Sequence, residues 1–321
     1  MKSFLVDIPV ALIFFARPNV LKETFFSIKR ARPSKLFLIQ DGARSGRVDD
    51  LENIRLCRDI VKDIDWDCEV CTNYSEVNLG CGMRVYSGIS WAFESVDRLV
   101  IIEDDCKACD SFFKFCEDVL EKYKDDERMD MISGMNHLGI YNKTPYSYIF
   151  AKTGSIWGWA TWKRVWDTVE YDTDFINDKD AIRLLENSII PKGKAKQFIK
   201  NGISNYKILK SGGKLTSWSH QRGLNMYLHS GLIIVPHKNL TTNIGLTADS
   251  THAVNSIKKL PKAMQRVFFM KTYKLNFPLK HPKYIVEDVQ FNREIDKIMN
   301  PNKFIKLLMR IEGLIRRIIF S

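Results

Sequence analysis

The sequence predicts an α/β protein built on a parallel sheet, on three observations. Apolar runs of strand length alternate with helix-periodic stretches four times in the first ~125 residues. The first of those runs, residues 10–15, is continuous rather than alternating, as in a strand buried on both faces. The unusual polar residues, Arg17, Asp41 and Glu103 to Asp105, fall where the runs end, and parallel sheets bind ligands at the carboxyl ends of their strands.

Each element has its own local reason. Residues 10–15 are an unbroken apolar run, stopped by Pro18 and Asn19, with Asn19 suited to cap a helix over roughly 20–30. Residues 35–39 read as the second strand, closed by "QDG". Acids, bases and apolar residues recur at helical spacing over 48–63, and 67–72 is the third strand. "NLGCG" is a turn, followed by a helix over roughly 83–94. Residues 98–102 form the fourth strand, after which Asp110 or Ser111 caps a helix carrying Phe112, Cys116, Val119 and Tyr123 along one side.

From about residue 130 the alternation fails. "SIWGWATWKRVWD" crowds together Trp157, Trp159, Trp162 and Trp166. Gly212 and Gly213 mark a turn, 231–236 a further strand, and the chain from Pro261 onward is basic and helix-prone. The organisation expected is one unit over 1–255, divided near residue 130 into two halves, and a basic helical extension over 256–321.

Composition excludes several classes. With 45% apolar residues among 321, the chain is not a disordered one. A net charge of +11 suits a polyanionic partner, whether phosphate ligand, nucleic acid or anionic membrane. Seven cysteines, an odd number, argue against a secreted disulfide framework, and the two CxxC pairs, Cys68/Cys71 and Cys106/Cys109, lie too far apart for a zinc ribbon. Asp7 and Pro9 interrupt the N-terminal apolar stretch, so it reads as a buried strand rather than a signal peptide. No apolar stretch reaches the ~18 residues of a membrane span. No nucleic-acid recognition motif is present, and no such partner is expected.

The stretch "LVIIEDDCKAC" carries the chemistry. Three acids, Glu103, Asp104 and Asp105, close an apolar strand. Carboxylates crowded at a strand end suit a hard divalent cation, Mg²⁺ or Mn²⁺, which keeps some waters and bridges to substrate phosphates. A solvated acidic turn is the plain alternative.

"LVIIEDDCKACDSFFKFCEDVLEKY", with "FLIQDG" upstream and "GWATWKRVWD" and "LIIVPHKNLTTNIG" downstream, resembles the GT-A glycosyltransferases related to N-acetylglucosaminyltransferase I, and bacterial members found in polysaccharide gene clusters. The likeness spans roughly residues 8–255. It implies a Rossmann-like GT-A fold, with helices on both sheet faces, whose halves take a nucleotide sugar and an acceptor. It also implies roles: Asp105 as the direct ligand of the divalent cation, with Glu103 and Asp104 on ribose or sugar or supporting the site, and Asp41 accepting from uracil, hence a UDP-sugar. Ala16 and Arg17 would line the nucleotide and diphosphate, with Asn78 and Arg84 reaching the donor. Trp157 or Trp159 would stack on a sugar, unless these indoles are core, and Gly158 marks a close backbone approach. His252 falls where related enzymes present a histidine to metal or diphosphate.

One position departs from the pattern. Relatives place an Asp just after a Trp ahead of the last strand; here Trp218 precedes Ser219 and His220. His220 is the candidate base for an inverting transfer. Asp167, Glu170 or Asp172 would be substitutes, a retaining reaction would need no base, and a binding or scaffolding protein would need no chemistry. A nucleotidyltransferase would carry a Gly-rich, Lys-bearing phosphate loop, which "FFARPN" lacks. The expected activity is sugar transfer from a UDP-sugar to a saccharide, lipid-linked, during surface polysaccharide assembly. The last helix, "NKFIKLLMRIEGLIRRIIF", lines Phe304, Leu307, Leu308, Ile311 and Leu314 along one stripe beside Lys and Arg. It reads as an interfacial helix on the anionic inner face of a cell membrane, giving a cytoplasmic, peripheral protein, with a helix docked on the protein's own core or on a second subunit as the plain alternative.

Overall fold

A computed structural model describes residues 1–189, 192–246 and 256–319. The first half alternates as the patterning predicts: β1 (Val6–Phe14), α1 (Pro18–Ala31), β2 (Pro33–Gln40), α2 (Val48–Val61), β3 (Glu69–Tyr74), α3 (Gly80–Phe93), β4 (Arg98–Glu103), β5 (Cys106–Ala108) and α4 (Asp110–Lys122). The second half contains β6 (Met129–Ser133), β7 (Tyr148–Ala151), β8 (Trp159–Trp162), α5 (Lys163–Trp166), α6 (Lys179–Ser188), α7 (Lys192–Lys210), α8 (Ser219–Leu228), β9 (Leu232–Pro236) and β10 (Thr241–Asn243). Three helices follow, α9 (Lys262–Gln265), α10 (Val289–Met299) and α11 (Lys303–Ile319).

Eight strands make one sheet in the order β3-β2-β1-β4-β8-β6-β9-β7, while β5 and β10 pair as a separate ribbon. β3, β2, β1 and β4 are parallel. β8 runs against both β4 and β6, β9 is parallel to β6, and β7 runs against β9. The sheet is therefore parallel in its first half and mixed in its second. With helices on both faces and a helical C-terminal segment, this is a Rossmann-like GT-A fold.

The continuous apolar strands arise because both faces are buried. Along β1, Val10, Leu12 and Phe14 enter the core beneath α1 and α4, whereas Ala11 and Ile13 enter the core beneath α3. β2 and β4 divide in the same way, with Leu36, Leu38, Val100 and Ile102 on one side and Phe37, Ile39, Leu99 and Ile101 on the other. α4 contributes Phe112, Phe113, Phe115, Cys116, Val119 and Leu120, all fully buried. The tryptophan segment obeys the same two-residue period: Trp159 faces one core and Trp162 the other. A satellite core under α6, α7 and α8 gathers Leu185, Ile189, Ala195, Ile199 and Leu224.

Two helix starts differ from expectation. Asn19 does not cap α1; Pro18 occupies the first turn, where its missing N–H costs nothing, and Arg17 is the flanking residue. Neither Asp110 nor Ser111 caps α4, whose flanking residue is Cys109. Asp110 instead accepts from Arg30 Nε at 2.8 Å, and the Ser111 hydroxyl oxygen accepts from the Leu275 N–H at 3.1 Å. All seven cysteines are unbridged.

Candidate functional site

The parallel pairing of β1 with β4 sets Ile13 beside Glu103, so the turn after β1 and the acids after β4 leave the sheet side by side. Pro18 bars the helical conformation for the residue before it, and Arg17 accordingly has φ −125° and ψ 72°. Its guanidinium turns onto the acids. Arg17 Nη2 pairs with Asp104 Oδ1 and, at 3.0 Å, with Asp105 Oδ2, while Nε donates to Asp104 Oδ2 at 3.4 Å. The Phe15 N–H also donates to Asp104 Oδ2, at 3.4 Å, and Thr24 Oγ1 donates to the Asp104 carbonyl at 2.8 Å. Ala16 is the half-buried residue between Phe15 and Arg17.

The three acids have distinct surroundings. Asp104 is buried, with 6% of its side chain exposed against 18% for Asp105. Burial, then the charges of Asp105 and Asp104, push the Glu103 carboxyl up to about 8. Burial disfavours the Arg17 charge, but the neighbouring Asp104 and Asp105 outweigh it, so its pKa rises and the guanidinium stays protonated. Asp105 is held from the far side by the "NIG" turn. The Ile244 N–H donates to its carbonyl at 2.8 Å, and a Cβ built on Gly245 would fall 2.1 Å from Asp105 Oδ2. Only glycine allows that approach.

Asp41, at the end of β2, makes the "NLG" turn. Its Oδ1 accepts from the Gly42 N–H (3.0 Å) and the Leu79 N–H (2.9 Å), and its Oδ2 from Asn78 Nδ2 (3.1 Å) and the Gly80 N–H (2.9 Å). Four bonds occupy the carboxylate from within the chain, in place of the open acceptor that uracil recognition would require. Asn78 Nδ2 is likewise engaged, donating also to the Gly42 carbonyl at 2.8 Å. Arg84 is buried, with Nη2 on the Asn73 carbonyl and, at 2.9 Å, on Asn73 Oδ1; burial lowers its pKa.

The tryptophans separate. Trp159 is fully buried, its ring 5.5 Å from Trp218 in a near-parallel stack, so it is a core residue and not a pocket wall. Trp157 is half-buried, lying 5.2 Å from the Phe268 ring and 6.4 Å from His137, centroid to centroid. Gly158 has φ +76°; its carbonyl accepts from the Gly134 N–H at 2.8 Å, and a Cβ there would meet Thr241 at 2.6 Å. The close approach read from the sequence is thus one of the chain to itself.

His220 is half-buried. Its ring rests 5.3 Å from Phe198, and its Nε2 is buried with no partner among the described residues; burial lowers its pKa. Of the substitute carboxylates, Asp167 ion-pairs with Lys163 at 2.9 Å. The following chain runs back along α3, with the Tyr86 hydroxyl on the Val169 carbonyl at 3.1 Å and the Tyr171 ring 4.8 Å from Tyr86, leaving Asp172 exposed. His252 lies outside the described residues. Among those described, no group of three or more His, Cys, Asp or Glu converges as a metal site. A Mg²⁺ ion held by one or two carboxylates plus phosphate oxygens would find Asp105 the more exposed aspartate of the pair.

Sequence reasoning did not single out Gln40, Thr24 or Gly245. Gln40 is fully buried and ties the ends of β1 and β2, donating to the Phe15 carbonyl at 2.9 Å and accepting from Arg58 Nε at 2.7 Å. The pair "QD" was its signal; Thr24 carried none.

A pH dependence follows from His137, whose pKa burial pushes down to about 4. The unfolded ring titrates near 6.5. Between those values the unfolded chain takes up a proton that the folded chain refuses. Stability is therefore full above about pH 6.5 and falls as the pH drops toward 4, by at most about 1.4 kcal/mol per unit. Urea unfolding at pH 7 and pH 4.5 is expected to show a smaller loss for His137→Asn than for wild type; equal losses would remove His137 as the cause.

No protein-family model matches the chain, and no curated protein does. Among solved structures, it is similar to the crystal structure of S. aureus TarS 1-349, with 10% identity over 75% of this chain and a TM-score of 0.36. The chain spans 59% of the length of that structure. A likeness at that level leaves the chemistry to this chain's own residues.

Proposed function

We propose that this protein is a metal-dependent glycosyltransferase of GT-A type, moving a sugar from a UDP-sugar to a saccharide, lipid-linked acceptor in surface polysaccharide assembly. One observation carries the reading: a guanidinium after β1 and carboxylates after β4 meet at the carboxyl edge of the parallel strands, where such folds take phosphate-bearing ligands. In this reading Arg17 grips the diphosphate through its planar fork. Asp105, with Glu103 and Asp104 behind it, would hold a Mn²⁺ or Mg²⁺ ion, which neutralises charge on the departing diphosphate. Asp41, Asn78 and Arg84 keep the donor wall in shape, and Trp157 offers the exposed part of its indole to a sugar. Inversion is the first reading, with His220 taking the acceptor proton.

The second reading is a nucleotide-sugar binder without turnover. It is favoured by Ser219, which stands where relatives have a carboxylate, and by the enclosed Nε2 of His220. Release of UDP from a panel of UDP-sugars, with Mn²⁺ and with chelator, separates the two. Mn²⁺-dependent release supports transfer; nucleotide binding with no release supports the binder.

Attachment to an anionic inner membrane face is the remaining part of the proposal. No helix among the described residues is long and apolar enough to cross a membrane. On α11, Phe304 (67%), Leu307 (53%) and Leu314 (63%) are exposed, with Lys303, Lys306, Arg310 and Arg317 on the same helix. Gly313 rests near Pro261, and Glu312 Oε1 accepts from the Lys262 N–H at 3.1 Å, which sets α11 against the basic segment of Lys258, Lys259 and Lys262. Removing residues after 302 is expected to abolish co-sedimentation with phosphatidylglycerol vesicles; unchanged co-sedimentation would refute the attachment.

A further inference from the structure

We infer that Arg17 plugs the cation position: its guanidinium occupies the carboxylates, and a divalent cation gains them only when a diphosphate draws that guanidinium away. This rests on reading the site as a donor site. A single nitrogen, Nη2, touches both Asp104 and Asp105. Both aspartates are turned onto that one guanidinium, which takes the position between them.

The fixed and movable parts are identifiable. Asp104 is buried, tied through its carboxylate to the Phe15 N–H and through its carbonyl to Thr24. Asp105 is pinned by Ile244 and by the glycine packed on its carboxylate. The Arg17 side chain is a long one on a turn, with 22% of its surface exposed and, among the described residues, no hydrogen bond beyond the two aspartates. It is therefore the member that moves. A diphosphate offers the guanidinium two anionic groups that match its fork, so the exchange keeps the positive charge paired throughout. Once Arg17 has turned, Asp104 and Asp105 are unneutralised and attract a divalent cation beside the same diphosphate. By linkage, nucleotide and cation must each strengthen the other's binding by one factor.

The test reads cation binding rather than turnover. Free Mn²⁺ is followed by electron paramagnetic resonance during titration of the wild-type protein and of Arg17→Met, alone and with UDP, against protein-free controls. Without UDP, Arg17→Met is expected to bind Mn²⁺ at least about ten-fold more tightly than wild type, the size of effect that removal of one adjacent positive charge supplies. With UDP, wild type is expected to gain at least about ten-fold and Arg17→Met much less. Equal or weaker Mn²⁺ binding by Arg17→Met overturns the plug, even where UDP still helps wild type and the donor reading survives. Tighter binding by the variant with no UDP effect on wild type supports the plug and counts against the donor reading. Should Arg17→Met not fold, Arg17→Lys, which keeps the charge but spans one carboxylate at a time, is expected to bind Mn²⁺ more tightly than wild type; parity would overturn the plug.

Discussion

Asp105→Ala is expected to lower UDP release from the preferred UDP-sugar by at least about 10²–10³-fold, the cost of removing one group that stabilises charge in a transition state. The unfolding midpoint should change little, since Asp105 is the more exposed aspartate of the pair and partly solvated ion pairs contribute about 0–1 kcal/mol. Asp104→Ala supplies the contrast. It leaves Arg17 without its closest partner and the Phe15 N–H without an acceptor. About 3 kcal/mol of stability should be lost, at the low end for a broken buried pair because 22% of the Arg17 side chain is exposed. UDP release and urea unfolding measured on both variants separate the roles. Full activity in Asp105→Ala would remove it from the site, and loss of fold in both would make the acids structural only.

Trp159→Ala should destabilise the fold by about 3–5 kcal/mol, as deletion of a large buried aromatic does. The indole is wholly buried, stacked on Trp218 and 6.3 Å from Trp166. It opens β8, the strand that joins β4 to the mixed half of the sheet. A tryptophan lining a sugar pocket would give the opposite pattern: weakened donor or acceptor binding with stability nearly intact. Urea unfolding together with UDP binding under stabilising conditions distinguishes them. Retained stability with lost binding would return Trp159 to the pocket.

The parallel half of the fold was legible because its signal is local. A short continuous apolar run bounded by turn residues suits a strand with two cores to fill, and β1, β2 and β4 divide their side chains between those cores residue by residue. The mixed half was not, because β6, β7 and β8 are short and their partners are distant in sequence: Ile149 pairs with Val235 and Ile132 with Ala160. Nothing local encodes that register. At the candidate site, Arg17 and the acids could be named from their positions after strands, but not their contact. Whether Arg17 faces solvent or Asp104 depends on the alignment of β1 with β4. Asp41 shows the converse. The resemblance implied a ligand, while the fold occupies its carboxylate with three donors from the turn at residues 78–80 and the N–H of Gly42. The glycine of "NIG" gave a motif without a reason, and the reason is the Asp105 carboxylate beneath it.

The central claim is that Arg17 and the acids after β4 form a metal-assisted site for the diphosphate of a nucleotide sugar. A thermal-shift titration of UDP, with Mn²⁺ and with chelator, on wild type and Asp105→Ala tests it most directly. Saturating UDP with Mn²⁺ should stabilise wild type by about 3 kcal/mol at a hundred-fold excess over Kd, and chelator-treated wild type and Asp105→Ala should each respond clearly less at the same UDP concentration. Stabilisation by UDP that is indifferent to Mn²⁺ and to Asp105, or no stabilisation of wild type at all, would contradict it.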